Sequence, residues 1–390
     1  MGRPSQSDSH LPHLDGVRAL LALYVAAHHC YLTIWPLDRG AALPPEAVGR
    51  FVNWLLFGRL AVAGFIALSG YCLMLPVSRG NGILRGGAGR FYFKRARRIL
   101  PTFYAALFFC AIVGVTIARH PTGTIWDSAL PITGHAIVVN LLMVQNLFER
   151  HQINYAFWSI AVEYQIYFFF PLLVILFARS RAWTTLGVVL ATIVAHKLLG
   201  RTILSHLAIH YLGIFALGMF AASVPVDKAA SWPWKSRGAL FVLTLLMTGL
   251  FVGLCYWWGG ADTPAVASEM LAGATLAAWL IFWRGPTGIT KSILEWGPLY
   301  FVGTFSYSLY LLHAPVIQIV WQSIIHPLGL TGPIALLLQL SIALPACIAV
   351  AFAFFLVFER PFMSSRQKHA VSDAEATLAP AHALAHEQSV

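Results

Sequence analysis

The stretch Pro131-Ile-Thr-Gly134-His135-Ala-Ile-Val-Val-Asn140-Leu-Leu-Met-Val-Gln145-Asn-Leu147 decides how the rest of the chain is read. It is apolar enough to be weighed as a membrane crossing, yet Pro131 and Gly134 frame it and His135, Asn140 and Gln145 interrupt it. Ten stronger apolar runs surround it, near residues 17–36, 52–77, 99–118, 158–178, 183–200, 206–224, 238–258, 265–283, 298–321 and 333–358. Each is long enough for a hydrocarbon core of about 30 Å. With the amino terminus inside and 131–147 not crossing, 19 of the 26 Lys and Arg residues fall on the inner side, six on the outer side, and Arg59 within a span. If 131–147 crosses, everything after it flips and the division becomes 12 inside to 13 outside. Basic residues collect on the cytoplasmic side of membrane proteins. The sequence therefore predicts about ten transmembrane helices with both termini cytoplasmic. Segment 119–157 becomes one long external excursion whose apolar part is re-entrant, interfacial or packed on the bundle, with Asn140 expected within reach of an external label.

Composition agrees. The chain has 390 residues, 58% hydrophobic and 11% charged, whereas soluble domains carry about 25% charged residues. A soluble globular protein, intrinsic disorder, a fibrous protein and a disulfide scaffold are excluded together. The expected fold class is all-α, a polytopic integral membrane helix bundle in the cell's inner (cytoplasmic) membrane. The net charge of +11 points to loops facing anionic lipid, not to nucleic acid. Cys30, Cys72, Cys110, Cys255 and Cys347 lie scattered in apolar runs without metal-like spacing and read as small buried hydrophobes. Residues 1–16 hold no apolar core or cleavage site, so the first span reads as an uncleaved signal-anchor. The expected organisation is a polar segment 1–13, a transmembrane domain 14–362 and a disordered cytoplasmic tail 363–390.

Ionisable groups inside a membrane cost about 2.5–3.5 kcal/mol each at mid-span and are functional suspects by default. In the first span, Leu14-Asp15-Gly16-Val17-Arg18 is followed by ten residues and then His29. At about 1.5 Å per residue, His29 stands about 16 Å above Arg18, near the midplane; His28 points about 100° away around the helix. The run Arg90-Phe-Tyr-Phe-Lys94-Arg95-Ala-Arg97-Arg98-Ile-Leu-Pro101 sits at the inner end of the third span. Arg95 and Arg98, three apart, share a helix face suited to forked contacts with phosphate. Trp158-Ser159-Ile-Ala-Val-Glu163 opens the fourth span, placing Glu163 about 8 Å below the outer surface. In the ninth span Ser306, Tyr310 and His313 fall on one face, with His313 in the outer half.

Taken one by one, each has an ordinary structural explanation: a core histidine, topology control, a helix start, interhelical hydrogen bonds. Taken together they are ordered by depth, from a cytoplasmic anion site through mid-membrane His29 to outer-half Glu163 and His313. Two classes fit that ordering: a group-transfer enzyme, or a proton-coupled transporter or flippase of a glycan or lipid-linked sugar with His29 and Glu163 as relay. The sequence holds no Gly-rich phosphate loop, metal-ligand cluster or nucleophile elbow.

The same residues resemble the membrane-bound acyltransferase-3 family, integral-membrane enzymes that O-acylate carbohydrates and other extracytoplasmic acceptors. Arg18 and His29 match that family's Arg-x10-His motif. Phe65-Ile-Ala-Leu-Ser69-Gly70-Tyr71 is similar to its Phe-Phe-x-Leu-Ser-Gly-Phe signature. Arg95-x-x-Arg98-Ile-Leu-Pro101, Trp158-Ser159-x-x-x-Glu163 and Ser306-Tyr307-x-Leu-Tyr310-Leu-x-His313 match three more. The resemblance spans roughly residues 10–360. Many members carry an acidic residue where this chain has Ala63, with Arg59 one turn earlier.

The resemblance implies acetyl-CoA or another short acyl-CoA as co-substrate, a carbohydrate or other hydroxyl acceptor, and no permanently bound cofactor or metal. It implies Arg18, Arg95 and Arg98 for acyl-CoA, and His29, Glu163 and His313 for catalysis, with His29 as general base and Glu163 orienting the imidazole or holding the acceptor. Trp158, Ser159, Ser69, Ser306 and Tyr310 are the expected acceptor-binding or supporting residues. Some members carry an appended extracytoplasmic SGNH hydrolase-like domain; a stand-alone form is expected here, completing transfer itself or serving a separate extracytoplasmic transfer protein.

Overall fold

The computed structural model describes residues 11–36, 44–148, 152–199, 206–224, 237–257, 265–284 and 288–363, and beyond them 368, 371, 372, 374 and 375. Among these the chain is predominantly helical, with no strand. The helices are α1 (Pro12–Ile34), α2 (Glu46–Val52), α3 (Gly58–Arg79), α4 (Gly87–Val115), α5 (Gly134–Leu141), α6 (Trp158–Tyr167), α7 (Phe170–Arg179) and α8 (Arg181–Leu199). They continue with α9 (His210–Ser223), α10 (Arg237–Trp257), α11 (Ala265–Phe282), α12 (Ile289–Leu294), α13 (Gly297–Thr304), α14 (Ser306–Val320) and α15 (Gly332–Phe354).

Among the described residues, eight helical stretches are long and apolar enough to cross a membrane: Pro12–Ile34, Glu46–Arg79, Gly87–Val115, Trp158–Arg179, Arg181–Leu199, Gly238–Tyr256, Ser306–Leu328 and Gly332–Phe362. The shorter apolar helices α9 and α11 stand where the sequence puts its other two crossings. The protein is a polytopic membrane helix bundle. The deciding stretch, 131–147, forms only the eight-residue α5 and a short turn at Gln145–Leu147. Eight residues rise about 12 Å, well short of a bilayer core. Asn140 is fully buried there and donates to the Ala136 carbonyl at 2.8 Å, so its expected exposure to an external label is corrected.

The excursion packs down on the bundle. Thr124 Oγ1 donates to Gln318 Oε1 at 2.9 Å, and Gln318 Nε2 donates to Thr122 Oγ1 at 3.0 Å, tying it to α14. Trp126 is buried beneath it. Burial ranks the spans: 78% of the apolar window of Ser306–Leu328 is inside the protein, against 11% for Arg181–Leu199 and for Gly238–Tyr256. The first is the centre of the bundle. The other two turn Leu186, Leu190 and Val194, and Val242, Leu246 and Leu250, outward as a lipid-facing surface needs.

Two helix crossings depend on missing side chains. A Cβ on Gly16 would lie 1.9 Å from the Leu294 carbonyl oxygen, and one on Gly303 would lie 2.1 Å from that of Asp15. The Asp15-Gly16 pair is thus where α1 meets α12 and α13 backbone to backbone. Likewise a Cβ on Gly70 would lie 2.1 Å from the Phe215 oxygen, and one on Gly218 would lie 1.8 Å from that of Ala67, closing α3 on α9. Close approach over small residues is a usual device of membrane helix packing.

Three departures from the expected spans matter for the site. Helix α4 starts at Gly87, after Gly86 in a left-handed turn (φ 83°), so the basic run 90–98 is helical and continuous with the third span. The ninth span breaks at Phe305, between α13 and α14. The last span runs on past residue 358 through a wider π turn, Phe355–Glu359. The expected disorder of 363–390 falls mostly outside the described residues; those described include buried Val371 and Ala374, with Glu375 3.8 Å from Arg360.

Candidate active site

Polar side chains gather at two ends of the bundle. At one end, Asp15 accepts from Arg18 Nη1, while Arg18 Nη2 donates to Cys72 Sγ at 3.1 Å. Arg95 projects from α4 into a small recess lined by Tyr92, Tyr164, Tyr167 and Phe168. Its buried Nε has no hydrogen-bond partner, and among the described residues no carboxylate lies within ion-pairing distance of it.

Arg98 differs from the sequence expectation of a guanidinium held open for phosphate. Its Nη2 stands 2.7 Å from Glu359, a carboxylate with no exposure at all. The other Glu359 oxygen accepts from Ser308 Oγ at 2.5 Å and from the Ser308 N–H at 3.2 Å. That N–H belongs to the first turn of α14, left without a helical acceptor by the break at Phe305. The π turn rotates Glu359 inward, and Thr102 Oγ1 of α4 donates to the adjacent Phe358 carbonyl at 3.0 Å.

At the other end the two adjacent histidines of α1 part company. His28 packs against Gly58, where a Cβ would lie 2.1 Å from its ring, and its Nδ1 sits 2.6 Å from the Leu55 carbonyl. It is used up in holding α1 to the start of α3. His29 faces α14: its Nδ1 is 3.0 Å from His313 Nε2 and the rings stack with centroids 4.9 Å apart. His313 is buried and His29 half-buried. Tyr155, from the excursion, lies against His29 at 4.6 Å between centroids.

Asn154 fixes that tyrosine. Pro315 in α14 has no N–H, so it leaves the Leu311 carbonyl without its usual helical donor. Asn154 Nδ2 fills the place at 3.0 Å, and its Oδ1 accepts from the Ala156 N–H at 2.8 Å. Tyr310, one turn before His313, shares a 2.6 Å hydrogen bond with Ser159, and its ring lies 5.6 Å from that of His313. Ser306 is buried at the start of α14 and makes none of these contacts; among the described residues, Ser308 supplies the hydroxyl that the cluster uses.

Glu163 lies between the two ends. Tyr167 donates to it, and Ser69 Oγ is 2.9 Å from the same Tyr167 hydroxyl. It is within electrostatic reach of Arg95 on one side and of Tyr310 on the other. Of the two roles expected of Glu163, orienting the His29 imidazole or holding the acceptor, the first is met here by His313, which bonds that ring, while Glu163 joins Ser69 and Tyr167 on the way to Arg95. The cause is the turn between Tyr167 and Phe170, where α6 gives way to α7 and Tyr92 donates to the Phe168 carbonyl at 3.0 Å, drawing this part of α6 toward α4. Trp158 stands at the histidine end, its indole under the guanidinium of Arg59 at 5.4 Å. Arg59 pairs with Glu269.

Sequence reasoning missed Glu359, Asn154, Tyr155 and Glu269. Only Glu269, a lone acid inside an apolar run, left a signal that the rule on intramembrane charges would have caught.

The chain is an integral-membrane helix bundle with arginines and carboxylates clustered at one end and a histidine pair ringed by tyrosines at the other. A family model described as an acyltransferase domain, that of acyltransferase-3, matches residues 11–356. The chain belongs to this family. Among its relatives, a Bacillus subtilis protein named "Putative peptidoglycan O-acetyltransferase YrhL" is 25% identical over 349 residues, covering 81% of this chain and 50% of that protein. The peptidoglycan O-acetyltransferase OatA of Listeria monocytogenes is 22% identical over 349 residues, covering 80% of this chain and 50% of that one. The chain thus spans about half the length of the curated relatives it matches. No solved structure matches it.

Proposed function

We propose that the chain is an O-acyltransferase of the cytoplasmic membrane that moves an acyl group, acetyl in the simplest case, from cytoplasmic acyl-CoA to a hydroxyl of an extracytoplasmic glycan. The names of its relatives and its family membership support the reaction class, and membership weighs against the transporter reading. The observation that carries the mechanism is the His29–His313 hydrogen bond. For His29 Nε2 to be basic, its Nδ1 carries the proton and donates to His313 Nε2. That bond fixes both tautomer and ring plane, the usual way a histidine base is oriented.

In this reading acyl-CoA enters from the arginine end. Arg95, which among the described residues forms no direct ion pair, meets a phosphate directly; Arg98 and Arg18 add positive potential while tied to Glu359 and Asp15. The thioester reaches the half-buried His29 past Glu163, Tyr167 and Tyr310. The imidazole takes the proton of the acceptor hydroxyl as its oxygen bonds to the thioester carbonyl carbon. The carbon–sulfur bond then breaks, and the CoA thiolate leaves with the proton returned from His29. No metal or resident cofactor enters the scheme. His29→Ala should lower turnover by about 10²–10⁴-fold, the usual worth of a general base, in protein that still inserts and binds acyl-CoA. Near-normal turnover in that variant removes His29 from the reaction.

A further inference from the structure

Glu269 is 1% exposed inside the bundle and holds two partners that the reaction above does not use: Arg59 Nε at 2.9 Å and His210 Nε2 at 2.5 Å. Arg59 opens α3, His210 opens α9, Glu269 lies in the second turn of α11, and Trp158 opens α6. Four helix starts therefore converge at the histidine end on one buried carboxylate. The pair is lopsided. Arg98 and Glu359, at the other end, are 21% and 0% exposed, as suits an ion pair that serves packing. Arg59 is 61% exposed above a carboxylate that is 1% exposed.

The guanidinium also meets an aromatic ring. It lies over the Trp158 indole at 5.4 Å, and that indole rests on Tyr211 with centroids 5.9 Å apart. A guanidinium restricted by a carboxylate and an aromatic ring, on a side chain still 61% exposed, can take a further partner at little entropic cost. The Tyr211 hydroxyl turns to the same Arg59–Glu269 pair, yet the cluster is not closed on itself: His210 Nδ1, on a residue 3% exposed, finds no hydrogen-bond partner. Buried polar atoms left unpaired in this way call for an explanation. Trp158 leads on to the reacting imidazole through its neighbour: Ser159 bonds Tyr310, Tyr310 packs on His313, and His313 bonds His29.

We propose that Arg59, stacked on Trp158 and positioned by Glu269, is a subsite for the carboxylate of an acidic sugar in the acceptor. This inference rests on the acyl-acceptor reading of the histidine end. A planar fork with an open edge matches a carboxylate bidentately and gives a neutral hexose nothing comparable. His210 acts through Glu269, and both are positioning residues.

The test uses the full chain in lipid nanodiscs and two probes, a hexuronic-acid disaccharide and the corresponding neutral hexose disaccharide, with affinity measured in the absence of acyl-CoA. The wild type should bind the acidic probe about tenfold tighter or more, the worth of one good charge-assisted pair. Arg59→Gln should erase that preference and leave the neutral probe and the KM for acyl-CoA unchanged. Arg59→Lys keeps the charge without the fork and should retain only part of the preference, which also covers the case in which the glutamine variant fails to fold. Equal binding of both probes, binding of neither, or a preference that survives in Arg59→Gln overturns the subsite. A parallel transfer assay separates the two readings. Acyl transfer without acid preference sinks the subsite alone, whereas acid preference without acyl transfer to any acceptor sinks the O-acyltransferase reading alone.

Discussion

The arginine end and the histidine end of the bundle solve the problem of polarity inside a membrane in opposite ways. At the arginine end the groups are formally charged, and two are answered by carboxylates on the spot, Arg18 by Asp15 and Arg98 by Glu359. Around the His29–His313 pair the contacts are rings, hydroxyls and amides: Tyr155, Tyr310, Ser159 and Asn154. A buried ion pair offsets much of its desolvation cost only while both partners are present. A neutral network is cheaper to bury and can change its proton pattern without changing its net charge. The arginine cluster therefore keeps fixed charge, whereas the histidine pair can exchange protons without gaining any.

The contrast can be broken most strongly at Arg98. Arg98→Ala leaves Glu359 buried without its cation, which should destabilise the protein by about 3–5 kcal/mol, read as a large fall in Tm in detergent. Adding Glu359→Gln should restore most of it. If the single variant melts like the wild type, Arg98 is not paired in the way described. Arg95→Ala sharpens the point from the other side: with no ion pair to lose, it should leave Tm nearly unchanged and raise the KM for acyl-CoA.

At the histidine end, His313→Gln should lower kcat by about 10²-fold, within the range a positioned base supplies, with both KM values little changed. An effect confined to KM would make His313 a binding group instead. Asn154→Ala should cost about 1–3 kcal/mol, because the Leu311 carbonyl freed by Pro315 loses its donor. Smallest in energy is a label: Ser128→Cys lies exposed in the excursion and should react with an impermeant thiol reagent from outside intact cells. Reaction only from the cytoplasm would reverse the two ends.

What the sequence made legible follows from what is local. Eleven residues of one helix fix the offset between Arg18 and His29 whatever surrounds them, and Tyr310 and His313 share a face because one helix turn puts them there. The choice of His29 over His28 came from the Arg-x10-His resemblance, and what separates the two rings physically was not legible. Gly58, thirty residues away, makes room for one ring, and His313 catches the other. Glu359 was hidden for a related reason. At the end of the last span it looks like a boundary charge beside Arg360, and only the π turn, the break at Phe305 and the third-span helix together bring it to Arg98. The role of Glu163 was read from depth, which a sequence supplies, when the deciding quantity was direction, which packing against α4 supplies.

The widened turn at Phe355–Glu359 makes the placement of one carboxylate depend on a residue count. A single deletion in α15 ahead of that turn would rotate residue 359 by about 100° relative to α4 and α14, a little over a quarter of a revolution. The hydrophobic content of the span would scarcely alter, so the segment would still insert. Arg98 and the opening turn of α14 would both lose their anchor in one step. In this chain, spacing near the carboxyl end of the bundle is under tighter constraint than chemistry.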